Sequence, residues 1–376
     1  MAAASGHPGH LSGPAGAPDG PAGGAARRAL AALDHAVREL PPSSFAFVMA
    51  TGILSTGCAL VGADRPSGVL AAIAVAAGVL LAAATAWRAM FHRGELVRDL
   101  RDPSAVFGFF TIVAAANVVG LHYDLAGNTQ AGLVLALAAA AVWLLLTYWL
   151  PCELLLRERT EPVMQHANGS WFLWVVATQS LATATAVVGT TTRTQFVGAV
   201  ATGLWGVGMM LYLLVATLVT LRLLTRPHRP ESLSPTYWIY MGATAITVLA
   251  GSRILAMPAH FPVSRVTDPF VAGASYVLWA MGMWLIPLLV LFGIWRHGVR
   301  CFPLRYETSL WSIVFPLGMF SAATIFFGRN EGIPVMVRTG EVGVWVAAAA
   351  WAAATVLMVS AFARWLHRLG RSGLRA

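Results

Sequence analysis

The chain has 376 residues, of which 57% are hydrophobic and 11% are charged, and its formal net charge is +9. Soluble globular domains contain about 25% charged residues, so this composition excludes a soluble protein and indicates an integral membrane protein. The positive charge does not indicate a nucleic-acid partner, because the basic residues follow the loops between the predicted membrane spans.

The first 40 residues differ in composition from the rest of the chain. Residues 1–26 are rich in Gly, Ala and Pro, which predicts a disordered cytoplasmic tail. In residues 27–40, apolar side chains recur at helical spacing from Leu30 to Leu40, and arginines flank them. This pattern predicts an amphipathic helix on the inner membrane surface. A partly ordered cytoplasmic segment is the alternative.

Ten apolar windows of about 20 residues predict an all-α membrane domain over residues 41–366, followed by a basic cytoplasmic tail over residues 367–376. The predicted spans lie near residues 43–62, 67–90, 104–121, 129–150, 170–189, 196–221, 235–256, 269–294, 309–327 and 341–366.

The arginines predict the orientation of these spans. All 25 basic residues are arginine, and nineteen lie before the first span, after an even-numbered span or at the end of the chain. The positive-inside rule therefore places both termini in the cytoplasm. A chain with no lysine and abundant Ala, Arg and Gly is typical of a GC-rich bacterial genome, so we expect a bacterial plasma membrane.

The odd-numbered spans repeat at intervals of about 61–74 residues, and each begins with Ser, Thr, Gly or Pro followed by aromatic residues, as in "SSFAF" at 43 and "PTYWIY" at 235. The odd spans contain polar residues and glycines, whereas the even spans are aliphatic with tryptophans. We therefore predict five helical hairpins, with the odd helices around a central pore and the even helices outside. The alternative is an ordinary bundle packed through small residues.

The polar residues and glycines of the odd spans are the candidate pore-lining residues. They are Gly52, Ser55, Thr111, Asn117, Thr178, Gln179, Thr185, Gly242, Thr244 and Ser312.

The spans contain no Asp, Glu or His away from their ends, which predicts a protein that is not an enzyme and has no metal site or cofactor. A neutral pore suits passive movement of anions. Arg253 lies within about a turn of the predicted outer end of the seventh span. Its side chain either reaches the membrane interface or contacts an anion at the outer mouth.

The ninth span contains "SIVFPLGMF", and Pro316 and Gly318 predict a kink in its helix. A bend on an inner helix turns Phe315 toward the axis, where an aromatic ring across a neutral neck excludes water and closes the pore. A ring that faces lipid or packs between helices is the alternative.

Four stretches resemble the tellurite-resistance/dicarboxylate transporter family, which includes slow anion channels, malate permease and sulfite exporters. They are "PPSSFAFVMATGILSTG" (41–57), "NGSWFLWVVATQSLA" (168–182), "PTYWIYMGATAITVLAG" (235–251) and "LWSIVFPLGMFSAAT" (310–324). The resemblance implies ten helices around a pore, a homotrimer, and a gating phenylalanine beside a proline, which Phe315 and Pro316 match.

The resemblance also implies small anions as partners, with the lipid bilayer as surroundings. We expect an anion channel or channel-like permease for C4-dicarboxylates such as malate and succinate, or for small inorganic anions. A proton-coupled exporter of sulfite- or tellurite-type oxyanions is one alternative. A non-transporting membrane sensor or scaffold is another.

Overall fold

The computed structural model describes residues 21–158, 161–227 and 229–372. Within these ranges the chain forms α-helices, short 3₁₀ turns and one π-helical turn, and it has no strand. Ten of the described helical segments are long and apolar enough to cross a membrane. The predicted all-helical membrane fold is confirmed. Residues 1–20 of the predicted disordered tail and 373–376 of the predicted basic tail lie outside the described residues.

A first unit, which ends at Leu40, contains helix α1 (Pro21–Arg38). The helix begins before Arg27, so the prediction that residues 21–26 are disordered is wrong. Alanine has the highest helix propensity, and this segment contains several alanines. Leu30 is exposed. A position for α1 on the membrane surface stays a prediction.

The second unit begins at Pro41 and contains the remaining α-helices of the described residues. They are α2 (Ala46–Leu60), α3 (Asp64–Phe91), α4 (Arg93–Arg101), α5 (Phe110–Leu125), α6 (Thr129–Leu156), α7 (Phe172–Thr192), α8 (Gln195–Thr225), α9 (Ile239–Leu255), α10 (Pro262–Ile294), α11 (Trp311–Asn330) and α12 (Pro334–Ser372). The short helix α4 is tied to α3 because the buried Arg88 guanidinium donates to the Asp99 carboxylate at 2.6 Å.

Some helices extend beyond the predicted spans. Helix α10 begins at Pro262 and α12 at Pro334, each one to two turns before the predicted start. These first turns contain Arg265 and Arg338. A charged residue lowers the hydropathy of a window without preventing a helix, so hydropathy alone placed both starts too late.

The membrane helices fall into two classes by burial. We call α2, α5, α7, α9 and α11 the inner helices, and α3, α6, α8, α10 and α12 the outer helices. In the most apolar window of each span, 72–89% of the residues are buried for the inner class and 11–28% for the outer class. Most residues of the outer helices therefore lie on the outside of the helix bundle, as their aliphatic composition predicts.

The inner helices contact one another in a closed ring. Helix α2 contacts α5, α5 contacts α7, α7 contacts α9, α9 contacts α11, and α11 contacts α2. Each inner helix also contacts the outer helix that follows it in the chain. The inner helices thus form a closed ring of contacts, and each outer helix packs against the inner helix that precedes it in the chain.

Two glycines allow α11 to approach its neighbours in this ring. A Cβ at Gly242 of α9 would lie 2.9 Å from the ring Cγ of Pro316, and one at Gly318 would lie 3.0 Å from Ile53 of α2. A proline ring is rigid and cannot move aside. Close packing therefore fixes α11 on both sides around Pro316.

We expect Gly242→Ala to lower the free energy of unfolding by about 1–3 kcal/mol, because the added methyl group overlaps the Pro316 ring. The matched control is Gly203→Ala in the outer helix α8, where an added Cβ meets no atom within 4 Å. Thermal unfolding in detergent checks both variants. Equal melting temperatures would contradict the close packing of α9 against α11.

Candidate functional site

A cavity of about 410 Å³ lies at the N-terminal ends of the inner helices. All five inner helices and the turns that precede them contribute to its walls. The wall residues are Pro41, Pro42, Ser43, Ala46, Met49, Ser104, Ala105, Gly108, Thr111, Asn168, Ser170, Leu173, Arg222, Glu231, Ser232, Ser234, Thr236, Ile239, Ser309, Trp311, Ser312 and Phe315. The ring of inner helices therefore opens into one shared space at this end.

Each inner helix begins with a 3₁₀ turn at this cavity. These turns are Pro42–Phe45, Val106–Phe109, Gly169–Trp171, Pro235–Trp238 and Thr308–Leu310. The first backbone N–H groups of a helix lack partners within the helix, and its N-terminus carries a partial positive charge. Five such ends around one space favour a negatively charged occupant.

Hydroxyl groups line the cavity near the helix ends. Thr111 Oγ1 donates to the Gly108 carbonyl at 2.7 Å, and the Ser234 and Thr236 hydroxyls lie 2.7 Å apart. Ser170 is buried, and its Oγ has no hydrogen-bond partner among the described residues. Ser170 Oγ can therefore donate to an anion without carrying a charge of its own, whereas the single hydroxyl proton of Thr111 is already donated within the chain.

Arg222, at the end of α8, supplies a positive charge in the cavity wall. Its Nη1 donates to the Tyr237 hydroxyl at 2.8 Å, and its buried Nε has no hydrogen-bond partner among the described residues. Glu231 also lines the cavity. Sequence reasoning treated Arg222 only as part of a cytoplasmic cluster, because nothing in the sequence separates it from Arg226.

Phe315 and Met49 are the cavity residues that lie furthest along their helices from the N-terminal ends. The Phe315 side chain is 1% exposed, and among the described residues it forms no aromatic pair. It therefore lies at the deep end of the cavity. Helix α11 is a continuous α-helix through Pro316, so the kink assigned to Pro316 and Gly318 stays a prediction.

Of the candidate pore-lining residues, the structure brings Thr111 and Ser312 into the cavity together with Phe315. Three others face outer helices. Gln179 Nε2 donates to the Trp205 carbonyl of α8 at 3.0 Å, Thr178 accepts from the Trp143 indole of α6, and Gly282 of α10 lies against Thr244.

The remaining candidates lie at other contacts. Ser55 donates to the Ser67 carbonyl at 2.7 Å, Asn117 donates to Ser180 at 3.0 Å, and Thr185 donates to the Leu181 carbonyl of its own helix. Gly52 packs against Val118, and Gly242 packs against Pro316. These contacts hold helices together, and none of these residues lines the cavity.

A recurring hydrogen bond accounts for three of the threonines in the inner helices. Indole N–H groups of three outer helices each donate to a threonine hydroxyl of an inner helix at 3.0 Å. The pairs are Trp143 with Thr178, Trp279 with Thr324, and Trp351 with Thr51. An indole N–H in lipid needs a protein acceptor, so these threonines anchor the outer helices.

Arg253 lies in the last turn of α9, at the end of the inner helices opposite the cavity. Its guanidinium lies 3.9 Å from the centre of the Phe326 ring of α11. Sequence reasoning placed Arg253 correctly near a helix end but did not predict Phe326 as its partner.

Comparison with known proteins adds to this geometry. Residues 39–359 match the SLAC1 family, described as voltage-dependent anion channel. An uncharacterized membrane protein of Mycobacterium tuberculosis, found in two strains, is 50% identical over 164 residues, which cover 44% of this chain and 83% of that protein. An uncharacterized transporter of Methanocaldococcus jannaschii is 24% identical over 306 residues, which cover 77% of this chain and 83% of that protein.

The family match extends from just before α2 into α12, so it includes the whole ring of inner helices. It confirms the resemblance to the tellurite-resistance/dicarboxylate transporter group. The chain therefore belongs to the voltage-dependent anion channel (SLAC1) family, a family of membrane transport proteins and not of enzymes.

Proposed function

We propose that this protein is an anion channel or channel-like permease whose pathway begins in the cavity and follows the axis of the inner helices. The observation that carries the proposal is the convergence of five helix N-termini and Arg222 on one space of about 410 Å³. That arrangement, which the Glu231 carboxylate offsets in part, favours an anion in the cavity without a binding residue strong enough to hold it permanently.

We propose Phe315 as the gate of this pathway. Its ring is buried at the deep end of the cavity, and Gly242 and Ile53 pack closely on α11 beside it. An apolar ring across a narrow passage excludes water, and a hydrated anion cannot pass a neck that holds no water. Ser312 is the hydroxyl donor proposed to meet the anion before the gate, and Thr111 lines the same part of the cavity.

The cargo that we propose is a C4-dicarboxylate such as malate or succinate, or a small inorganic anion. The cavity volume lies within the usual range of small-molecule sites, which supports a cargo of this size. The arginine distribution supports a bacterial plasma membrane orientation with both termini and the cavity on the cytoplasmic side. We also propose a homotrimer, which light scattering of the detergent-solubilised protein tests.

A proton-coupled exporter of sulfite- or tellurite-type oxyanions is the second candidate. It is favoured by one titratable contact between inner helices, since His122 Nδ1 of α5 lies 3.1 Å from the Ser55 hydroxyl of α2. Histidines at membrane depth serve as proton relays in pumps and transporters. The contact lies away from the cavity wall, so the passive channel remains the leading proposal.

We expect Phe315→Ala to raise anion conductance severalfold in a reconstituted bilayer, because removal of the ring lets water fill the neck. The matched control is Phe320→Ala on the same helix, since the Phe320 ring stacks on Trp279 of the outer helix α10. An unchanged current in folded Phe315→Ala, or an equal increase in both variants, would remove the gate assignment.

We expect Arg222→Gln to reduce anion current by roughly two- to tenfold at low salt, because a cavity cation raises the local anion concentration by an energy on the order of 1 kcal/mol. The effect should shrink as salt screens the charge. Arg226→Gln, which removes an exposed arginine next to the same loop, is the control and should leave the current unchanged.

Passive passage also predicts how flux responds to gradients. Tracer flux of malate, succinate, sulfite, nitrate and chloride into proteoliposomes should follow the membrane potential and ignore an imposed pH gradient. Accumulation of any of these anions against its own gradient, driven by acid on one side, would support the proton-coupled exporter instead. The same panel ranks the cargo anions.

A further inference from the structure

The Arg253 guanidinium is buried with two hydrogen-bond donors unused. Its Nε and Nη2 atoms are inaccessible to solvent and have no hydrogen-bond partner among the described residues. The two atoms lie on one edge of the guanidinium, and their N–H bonds point in parallel. Buried charged donors are normally paired, so this edge lacks an acceptor.

The surroundings of Arg253 hold the guanidinium but do not satisfy this edge. The Phe326 ring covers one face of the guanidinium at 3.9 Å. The Asp124 carboxylate at the end of α5 attracts Arg253 electrostatically, yet the two form no ion pair. The nearby Asn330 amide is already used, because its Nδ2 donates to the Ser252 carbonyl at 2.6 Å.

We propose that the Nε–Nη2 edge of Arg253 binds an anion with two adjacent oxygen atoms, a carboxylate or an oxyanion, at the end of the inner helices opposite the cavity. Two parallel N–H donors match two such oxygens, whereas a halide can occupy only one point between them. The site would therefore favour carboxylates and oxyanions over chloride. This inference rests on the proposed function, since cargo anions use such a site only if they reach this end of the ring.

A free anion suits the site better than a lipid phosphate, although both offer two oxygens. Arg253 belongs to an inner helix, and its ring partner Phe326 belongs to the neighbouring inner helix α11. Both unused donors are closed to solvent. A lipid headgroup attached to its acyl chains has less access than a small free anion to donors held between two inner helices.

The test measures binding without transport. Sodium chloride is replaced by sodium formate at constant total salt, and the melting temperature of the purified protein in neutral detergent is recorded. We expect formate to raise the melting temperature of the native protein, because a ligand stabilises the folded state that binds it. Nitrate should act in the same way. A melting temperature that is independent of this exchange would overturn the proposal, and this measurement needs no variant.

Two substitutions then test whether the rise in melting temperature with formate depends on the Nε–Nη2 edge of Arg253. Arg253→Lys keeps the charge but loses the paired donors, so the formate concentration required for half of the shift should rise about tenfold or more. Arg253→Gln should abolish the shift. Arg65→Gln, which removes an exposed arginine near the start of α3, is the control and should behave as the native protein does. A formate shift that survives both Arg253 substitutions would overturn the site.

Nanodiscs of different lipid composition distinguish a free anion from a lipid phosphate as the ligand of Arg253. The formate shift should be the same in phosphatidylcholine nanodiscs with and without phosphatidylglycerol. If phosphatidylglycerol abolished the shift, the lipid phosphate would be the ligand of the Arg253 edge, and the free-anion site would be overturned. Failure of the proposed function is distinguishable from these results. An intact, Arg253-dependent formate shift without any anion flux in proteoliposomes would contradict transport and support the site.

Discussion

No water is available in the hydrocarbon core of a bilayer, so each polar group there must find its partner within the protein. This constraint organises the fold. Tryptophans on the lipid-facing helices direct their indole N–H groups inward to threonines, as Trp143 does to Thr178 and Trp351 to Thr51. Each such bond attaches an outer helix to an inner one and satisfies a donor that lipid cannot. These threonine hydroxyls can lie at membrane depth because indole groups of the outer helices bond to them.

Because polar groups in a bilayer need partners within the protein, the buried groups that lack a partner are candidate contacts for a ligand. Within the described part of the chain, Ser170 Oγ and Arg222 Nε in the cavity region and the Arg253 edge at the opposite end have no hydrogen-bond partner. We place the proposed anion contacts at these groups because buried donors are normally paired.

Periodicity and composition predicted the fold well because membrane helices are specified locally. Apolar length and the two-helix repeat depend only on neighbouring residues, and the ten spans, the buried inner class and the exposed outer class agree with them. The errors lie where local signals are weak. Alanine-rich residues 21–26 are helical, and polar first turns extend α10 and α12 beyond their apolar windows.

The sequence by itself determined a ten-helix membrane protein of an anion-transport family and singled out Phe315, whose proline neighbour is visible in the chain. Only the tertiary structure decided which polar residues line the cavity. Thr111 does, whereas Thr178 and Gln179 bond to outer helices. The direction of a side chain depends on helix rotation, and rotation is set by packing between segments distant in sequence. The residue pattern within a single helix therefore does not determine the rotation of that helix.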